Sequence, residues 1–106
     1  MTKIILCCSA GMSTSLFVTK LQKHAAEINI PIDVDAVPVG DLEKYYNDPT
    51  VSIFVLAPQV RFQKENIASR TNKPLYVIEM RDYGLMDVQK VFPIILEAVK
   101  GVNNAV

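Results

Sequence analysis

Residues 4–28 read IILCCSAGMSTSLFVTKLQKHAAEI, and this stretch decides the fold. Its first five residues are apolar, which predicts a buried strand. Apolar residues then recur at helical spacing over residues 16–28, which predicts an amphipathic helix. An octet of small and hydroxyl-bearing residues, 8–15, joins the two. The stretch therefore predicts a strand, a loop that opens a helix, and a thiol, Cys8, where the strand ends.

Three further apolar runs predict strands of the same kind. The predicted strands are residues 3–8, 32–37, 51–57 and 75–79. Their nearly continuous apolar character indicates that both faces of the sheet are covered. Because helical patterns alternate with these runs, we predict a single-domain α/β fold: an open parallel sheet of four strands with helices on both faces. Ligands bind such sheets beyond the carboxyl ends of the strands, and Cys8 lies at one of these ends.

Helical patterns follow the second, third and fourth predicted strands. They predict a short helix over residues 41–46, a longer one over 59–69 and a last one over 87–100. Pro93 lies inside the last pattern, where it removes a backbone donor and disfavours helical geometry at the preceding residue. We therefore expect a kink or a delayed helix start near Pro93.

The composition excludes several classes of function. The 106 residues are half hydrophobic and carry eleven basic and eleven acidic side chains, enough apolar content for one domain over residues 1–106. With no continuous basic stripe, nucleic-acid binding is disfavoured. No apolar segment approaches the roughly 20 residues of a membrane span, and no signal peptide is indicated. We therefore expect a cytoplasmic protein.

Two adjacent cysteines differ in their predicted roles. Cys7 and Cys8 are a poor disulfide framework, and a reducing compartment keeps both as thiols. Neighbouring residues of a strand point to opposite faces, so we expect one structural and one reactive thiol. Cys7 is expected to pack in the sheet as a small hydrophobe.

Cys8 and the seven residues after it form a candidate anion site. A helix amino terminus carries unpaired N–H groups and about half a positive elementary charge, which favours a thiolate and can bind phosphate. Gly11 permits close backbone approach, and the hydroxyl groups add donors. We predict Cys8 as the nucleophile. The predicted phosphate-binding residues are Ser9, Ala10, Gly11, Met12, Ser13, Thr14 and Ser15.

Residues 6–15, LCCSAGMSTS, resemble the phosphocysteine loop of the enzyme IIB component of the bacterial phosphotransferase system, lactose/cellobiose class. Supporting similarity extends along the chain. Residues 57–60, APQV, resemble that family's Gly/Ala-Pro-Gln-hydrophobic segment after the third strand, and residues 72–74, NKP, resemble its lead into the fourth. Residues 82–87, DYGLMD, resemble its Tyr-Gly segment before the last helix.

The resemblance implies a sugar phosphotransferase subunit. Cys8 would accept a phosphoryl group from a phosphohistidine of a IIA partner and pass it to a β-disaccharide of the cellobiose, lactose or chitobiose type held by a IIC membrane transporter. Neither a cofactor nor a metal is implied. The length matches a free-standing IIB subunit, for which a monomer is the default. Cys7 and Pro93 depart from the family pattern, where a bulky apolar residue and a non-proline are common.

Low-molecular-weight tyrosine phosphatases and arsenate reductases place a nucleophilic cysteine on a similar strand-loop-helix unit. They need an arginine six positions after the cysteine to bind the phosphate, and Thr14 stands there in this chain. Hydrolysis of a thiophosphate should be slow without that charge.

A receiver-like module would need an acceptor aspartate where Ala57 stands, and a thioredoxin-like role would need Cys-x-x-Cys. These alternatives are disfavoured.

Several other residues have two interpretations. Gln59 and Tyr83 are expected at the same sheet edge as Cys8. In one interpretation they contact the phosphoryl group or a partner. In the other, Gln59 is an amide that closes a loop and Tyr83 is a packed aromatic. His24 is interpreted as a packed or partly exposed helix residue rather than a phosphoryl carrier. Arg61 is interpreted as a solvated charge that could attract a phosphorylated partner. Met12, Val60 and Phe62 are apolar candidates for partner docking. Val60 and Phe62 could instead be core residues.

Overall fold

The computed structural model of the protein describes residues 1–9 and 13–101. The strands are β1 (Thr2–Cys8), β2 (Ile32–Pro38), β3 (Ile53–Leu56) and β4 (Leu75–Val77). The α-helices are α1 (Ser13–Glu27), α2 (Lys64–Ala68), α3 (Met80–Gly84) and α4 (Val88–Gly101). Two 3-10 helices, Val39–Tyr45 and Pro58–Gln63, follow β2 and β3.

The four strands form one parallel sheet in the order β2-β1-β3-β4. The chain moves from β1 to β2 on one side and then crosses β1 to reach β3 on the other. The strand order therefore reverses between β1 and β3, and the predicted open parallel α/β fold is confirmed. Because strand crossovers are right-handed, the reversal also places α1 and the following connections on opposite faces of the sheet.

Burial of the strands follows their place in the sheet. β1 is buried from Ile4 to Cys8 and β3 throughout, because each has a strand on both sides and helices on both faces. β2 lies at an edge, and its Asp33 and Asp35 are exposed while Val34 is buried. The expectation of continuous apolar burial thus holds for the two central strands but not for the edge strands β2 and β4, the latter being only partly buried.

Two predicted helices differ from those observed, and one observed helix was not predicted. The helix predicted over residues 59–69 is observed as the 3-10 helix Pro58–Gln63 followed by α2, and the 3-10 helix has a kink at Val60, whose dihedral angles are non-helical, φ −114° and ψ 18°. The helix predicted over residues 41–46 is the 3-10 helix Val39–Tyr45. The helix α3 was not predicted, since its five residues are too few to show a helical period.

Pro93 neither delays nor ends the last helix. α4 begins at Val88 and continues past Pro93 to Gly101, so the expected delayed start is wrong. A proline costs this helix one backbone hydrogen bond, and Pro93 lies on the exposed side. The buried residues Val91, Phe92 and Ile95 hold the same helix on the protein core.

Within the described residues, no helix has the length and apolar content that a membrane crossing requires. The apolar residues instead form one core around β1 and β3. On one face of the sheet α1 and α4 contribute large side chains such as Phe17 and Phe92, and on the other Tyr46 packs on Phe54 with ring centroids 5.8 Å apart.

We predict that Leu56→Ala, at the carboxyl end of β3, lowers the free energy of unfolding by about 2–5 kcal/mol, because it removes a fully buried side chain and leaves a cavity. Leu85→Ala is the matched control, since Leu85 is 66% exposed and its truncation should cost about 0.5 kcal/mol or less. Urea denaturation of both variants measures the difference. Equal losses would contradict this description of the core.

Candidate functional site

Cys8 ends β1 at the point where the strand order reverses. Its side chain is buried, and its Sγ lies 3.9 Å from the carbonyl oxygen of Val37 at the end of β2. On the other side of β1, the N–H of Ala57 donates to the carbonyl oxygen of Cys7 at 3.0 Å. The end of β1 that carries the thiol thus has a backbone neighbour on each side.

The loop after Cys8 is described only at its two ends. Ser9 is exposed, and α1 begins at Ser13, five positions after Cys8. The predicted phosphate-binding residues Ala10, Gly11 and Met12 lie outside the described residues, as does the side chain of Ser13. The amino terminus of a 15-residue helix nevertheless follows the strand end closely, and its first-turn N–H groups have no partner within the helix.

Thr14 and Tyr83 meet in the first turn of α1. Their hydroxyl oxygens are 3.1 Å apart, and both side chains are buried, at 3% and 6% exposure. The ring of Tyr83 also stacks on Phe17, one turn further along α1, with centroids 5.1 Å apart. Tyr83 is therefore a packed aromatic whose hydroxyl contacts the residue that stands where phosphatases carry arginine. The hydroxyl of Thr14 is engaged by the protein itself.

A cavity of about 240 Å³ opens beside Cys8. It lies between the carboxyl end of β2 and the 3-10 helix after β3. Its lining residues are Cys8, Ser9, Pro38, Val39, Gly40, Val60, Phe62 and Gln63. None of these carries a charged side chain. Sequence reasoning missed the contribution of Pro38, Val39, Gly40 and Gln63, although the rule that ligands bind beyond the strand ends could have indicated the segment after β2.

The 3-10 helix Pro58–Gln63 distributes its side chains differently from expectation. Gln59 is exposed and is not among the residues that line the cavity. Val60 is buried, whereas Phe62 is 75% exposed on the cavity wall. Arg61 donates from its guanidinium to the carbonyl oxygen of Pro58 at 2.9 Å and is otherwise exposed. Of the two described residues that were candidates for docking, Val60 belongs to the core and Phe62 is accessible to a partner.

His24 lies far from the candidate site. It is in the last turn of α1, eleven residues after Ser13, which corresponds to about 16 Å along the helix axis. Its ring packs edge-on against Phe92 at 5.9 Å. The interpretation of His24 as a partly exposed helix residue is confirmed, and it is not within reach of Cys8.

Cys7 is fully buried on the opposite face of the sheet from Cys8. Burial, with a smaller contribution from the neighbouring Cys8, raises the pKa of the Cys7 thiol from 9.0 to about 12. Its Sγ lies 3.8 Å from the carbonyl oxygen of Ile5. Cys7 therefore stays protonated at neutral pH and is not a nucleophile, as expected for the structural member of the pair.

Comparison with known proteins gives a consistent set of relatives. A family model described as "PTS system, Lactose/Cellobiose specific IIB subunit" matches residues 3–93. A galactose-specific EIIB component of Lactococcus lactis subsp. cremoris (strain MG1363) is 39% identical over 94 residues, covering 83% of this chain and 87% of the relative. An oligo-beta-mannoside-specific EIIB component of Bacillus subtilis (strain 168) is 35% identical over 95 residues, covering 87% of this chain and 90% of the relative.

Solved structures show the same architecture. The solution structure of a cellobiose-specific phosphotransferase IIB component from Borrelia burgdorferi superposes with a TM-score of 0.77 at 32% identity, covering 94% of this chain and 93% of that one. The lactose-specific IIB component domain from Streptococcus pneumoniae also gives a TM-score of 0.77, covering 92% and 96% of the two chains. At 16% identity, the second likeness shows the fold alone.

The raised pKa of Cys7 predicts a loss of stability at alkaline pH. The unfolded chain releases this proton near pH 9, whereas the folded protein keeps it until about pH 12. Between these values the folded state binds more protons, so the free energy of unfolding falls with rising pH by up to about 1.4 kcal/mol per unit. The difference in unfolding free energy between wild type and Cys7→Ser, measured by denaturant titration, should change with pH only in this window, since serine does not ionise there. Parallel curves would contradict the burial of the thiol.

Proposed function

The chain belongs to the lactose/cellobiose-specific IIB family of the phosphotransferase system, and we propose that its Cys8 carries a phosphoryl group from a IIA phosphohistidine to a sugar bound by IIC. The observation that supports this most directly is the position of Cys8 at the strand-order reversal, beside a cavity and five positions before the start of α1. Although Cys8 is only 6% exposed, it lines this cavity, and the helix that follows it in sequence begins with N–H groups that have no partner within the helix.

The proposed reaction has two displacement steps. In the first, the Cys8 thiolate attacks the phosphorus atom of the donor, a sulfur–phosphorus bond forms, and the nitrogen–phosphorus bond of the phosphohistidine breaks. The imidazole leaves with the bonding electron pair and takes up a proton. In the second step a sugar hydroxyl attacks the phosphorus atom, the sulfur–phosphorus bond breaks, the hydroxyl proton is lost, and Cys8 returns as a thiolate.

The protein's contribution to both steps is alignment and charge stabilisation. We assign the phosphoryl oxygens to the backbone N–H groups of residues 9–15, where the helix dipole adds partial positive charge. Transfer between nucleophiles of this kind needs no further acid or base from this chain, because each partner brings its own reacting group. The substrate of this chain is thus a phosphorylated protein in one step and a transporter-bound sugar in the other.

Two observations favour a carrier over a phosphatase. Thr14 stands where phosphatases carry arginine, and it is buried against Tyr83 rather than directed freely toward a ligand. Arg61, near the cavity, has its guanidinium on a backbone carbonyl of its own helix. Without a bidentate cation to stabilise attack by water, a thiophosphate on Cys8 should persist until a sugar hydroxyl replaces it.

The sugar is proposed as a class only. Relatives 35–39% identical to this chain are named for galactose, cellobiose and oligo-beta-mannoside, among them the cellobiose-specific EIIB component of Lactococcus lactis subsp. lactis (strain IL1403), 38% identical over 94 residues. Such different sugars at similar identity are what we expect if the sugar is recognised by the transporter. We propose a β-disaccharide of the cellobiose or lactose type.

We predict that incubation with phosphoenolpyruvate, the general phosphotransferase components and a cognate IIA adds one phosphoryl group to Cys8, located by mass spectrometry of the intact chain and its peptides. Cys8→Ser should lose this label. Cys7→Ser is the matched control and should keep it, because Cys7 is a buried thiol that stays protonated.

Label that persists in Cys8→Ser, or disappears only in Cys7→Ser, would refute the assignment. Rapid hydrolysis of an aryl phosphate by the isolated wild-type protein would instead favour a phosphatase. The two results are separable because the second needs no IIA.

A further inference from the structure

We propose that Tyr83 is a positioning residue for phosphoryl transfer, which acts by holding the first turn of α1 through its hydrogen bond to Thr14. The proposal rests on the function proposed above and extends it to a residue outside the loop. Thr14 and Tyr83 are 69 positions apart in sequence, so their contact ties the phosphate-binding segment to the opposite end of the chain.

The hydrogen bond is buried and therefore geometrically strict. Both side chains are at most 6% exposed, and the two hydroxyl oxygens are 3.1 Å apart. Water does not replace a partner at such a site, so loss of either hydroxyl leaves the other without its bond in an apolar environment. The first turn of α1 is consequently held in one arrangement relative to Tyr83.

Tyr83 is itself held from three directions. Its ring stacks on Phe17 at 5.1 Å, and its N–H donates at 3.0 Å to the carbonyl oxygen of Glu79, the residue directly before α3. α3 is anchored to α4 because the buried carboxylate of Asp82 lies 3.2 Å from the ammonium group of Lys90. The backbone of Tyr83 is therefore anchored by α3, and from there its hydroxyl contacts Thr14.

Positioning of this turn matters because its N–H groups are the proposed phosphoryl ligands. A displacement of about 1 Å in aligning groups can cost a large factor in rate. The hydroxyl of Tyr83 reaches this turn through Thr14, so we assign it an indirect role. Its loss should lower the rate of transfer and the persistence of the thiophosphate more than it lowers the affinity for IIA.

The test is a double-mutant cycle of Tyr83→Phe and Thr14→Val, which remove one hydroxyl each and keep the shape of the side chain. We measure phosphorylation of Cys8 by phosphorylated IIA at varied donor concentration, and the half-life of the phosphorylated protein after removal of the donor. Each single variant should lower the maximal rate by about 2- to 10-fold, the range expected from one hydrogen bond, with little change in the donor concentration for half-maximal rate.

The double variant should be no slower than the slower single variant, because the two hydroxyls act as one unit. Thr14→Ser, which keeps a hydroxyl, should restore most of the rate. Additive losses in the double variant, an unchanged rate in Tyr83→Phe, or an effect confined to the half-maximal donor concentration would each refute the positioning role.

A second measurement does not depend on phosphoryl transfer. Backbone order parameters from NMR relaxation of the unphosphorylated protein should fall at residues 14–16 in Tyr83→Phe and stay unchanged in the rest of α1. If wild type takes no phosphate on Cys8, the proposed function fails whatever the order parameters show. If wild type is phosphorylated but the order parameters and rates of Tyr83→Phe match it, only the positioning role fails.

Tyr76→Phe is the matched control for a general effect of removing a buried tyrosine hydroxyl. The Tyr76 hydroxyl is buried on β4 and has no hydrogen-bond partner among the residues that the structure describes. Its removal should leave the phosphorylation rate at the wild-type value. A loss of rate in Tyr76→Phe equal to that in Tyr83→Phe would show that the effect is not specific to the contact with Thr14.

Discussion

The parallel pairing of β1 with β2 on one side and β3 on the other is the constraint on which the site depends. It buries β1 from Ile4 to Cys8 and makes it the strand where the chain order reverses. The connections on its two sides then diverge, which leaves a gap beyond its carboxyl end. Because Cys8 is the last residue of β1, the gap and the thiol coincide. The position of the proposed nucleophile is therefore a consequence of topology as well as of side-chain chemistry.

The two-residue period of a strand separates the two thiols by environment. Cys7 points into one covered face, where burial raises its pKa to about 12, while Cys8 ends the strand beside the cavity. Two cysteines that are adjacent in sequence thus lie in different environments. The same alternation places Ile5 and Phe54 at paired positions of β1 and β3 on the face with Cys7, where packing is the only demand. Structural and reactive requirements are met on opposite sides of one strand.

The sequence was sufficient for the fold class and insufficient for the surroundings of Cys8. Continuous apolar runs separated by helical periods predicted the parallel sheet, and the octet after β1 predicted the loop. Two features were not predicted because they leave no helical period in the sequence: α3 has only five residues, and the kink in the 3-10 helix Pro58–Gln63 lies at a single residue, Val60. The contact of Thr14 with Tyr83 spans 69 positions, and nothing in either segment alone specifies it. Pro93 was overestimated as a helix breaker because its cost is local, whereas the packing of α4 is spread along the helix.

The neutral lining of the cavity bears on why such a site would hold a phosphoryl group without hydrolysing it. None of the described residues that line it carries a charge, so the positive potential near Cys8 would come from the backbone of α1. Backbone N–H groups would stabilise the phosphoryl oxygens in the proposed thiophosphate and in the transition state, but as donors they cannot accept a proton from an attacking water. An arginine at position 14 would add stabilisation that is equally available to attack by water. With Thr14 buried against Tyr83, the rate of the proposed transfer would instead be governed by which nucleophile the docked partner aligns with the phosphorus atom, and this is the property that a phosphoryl carrier between two proteins requires.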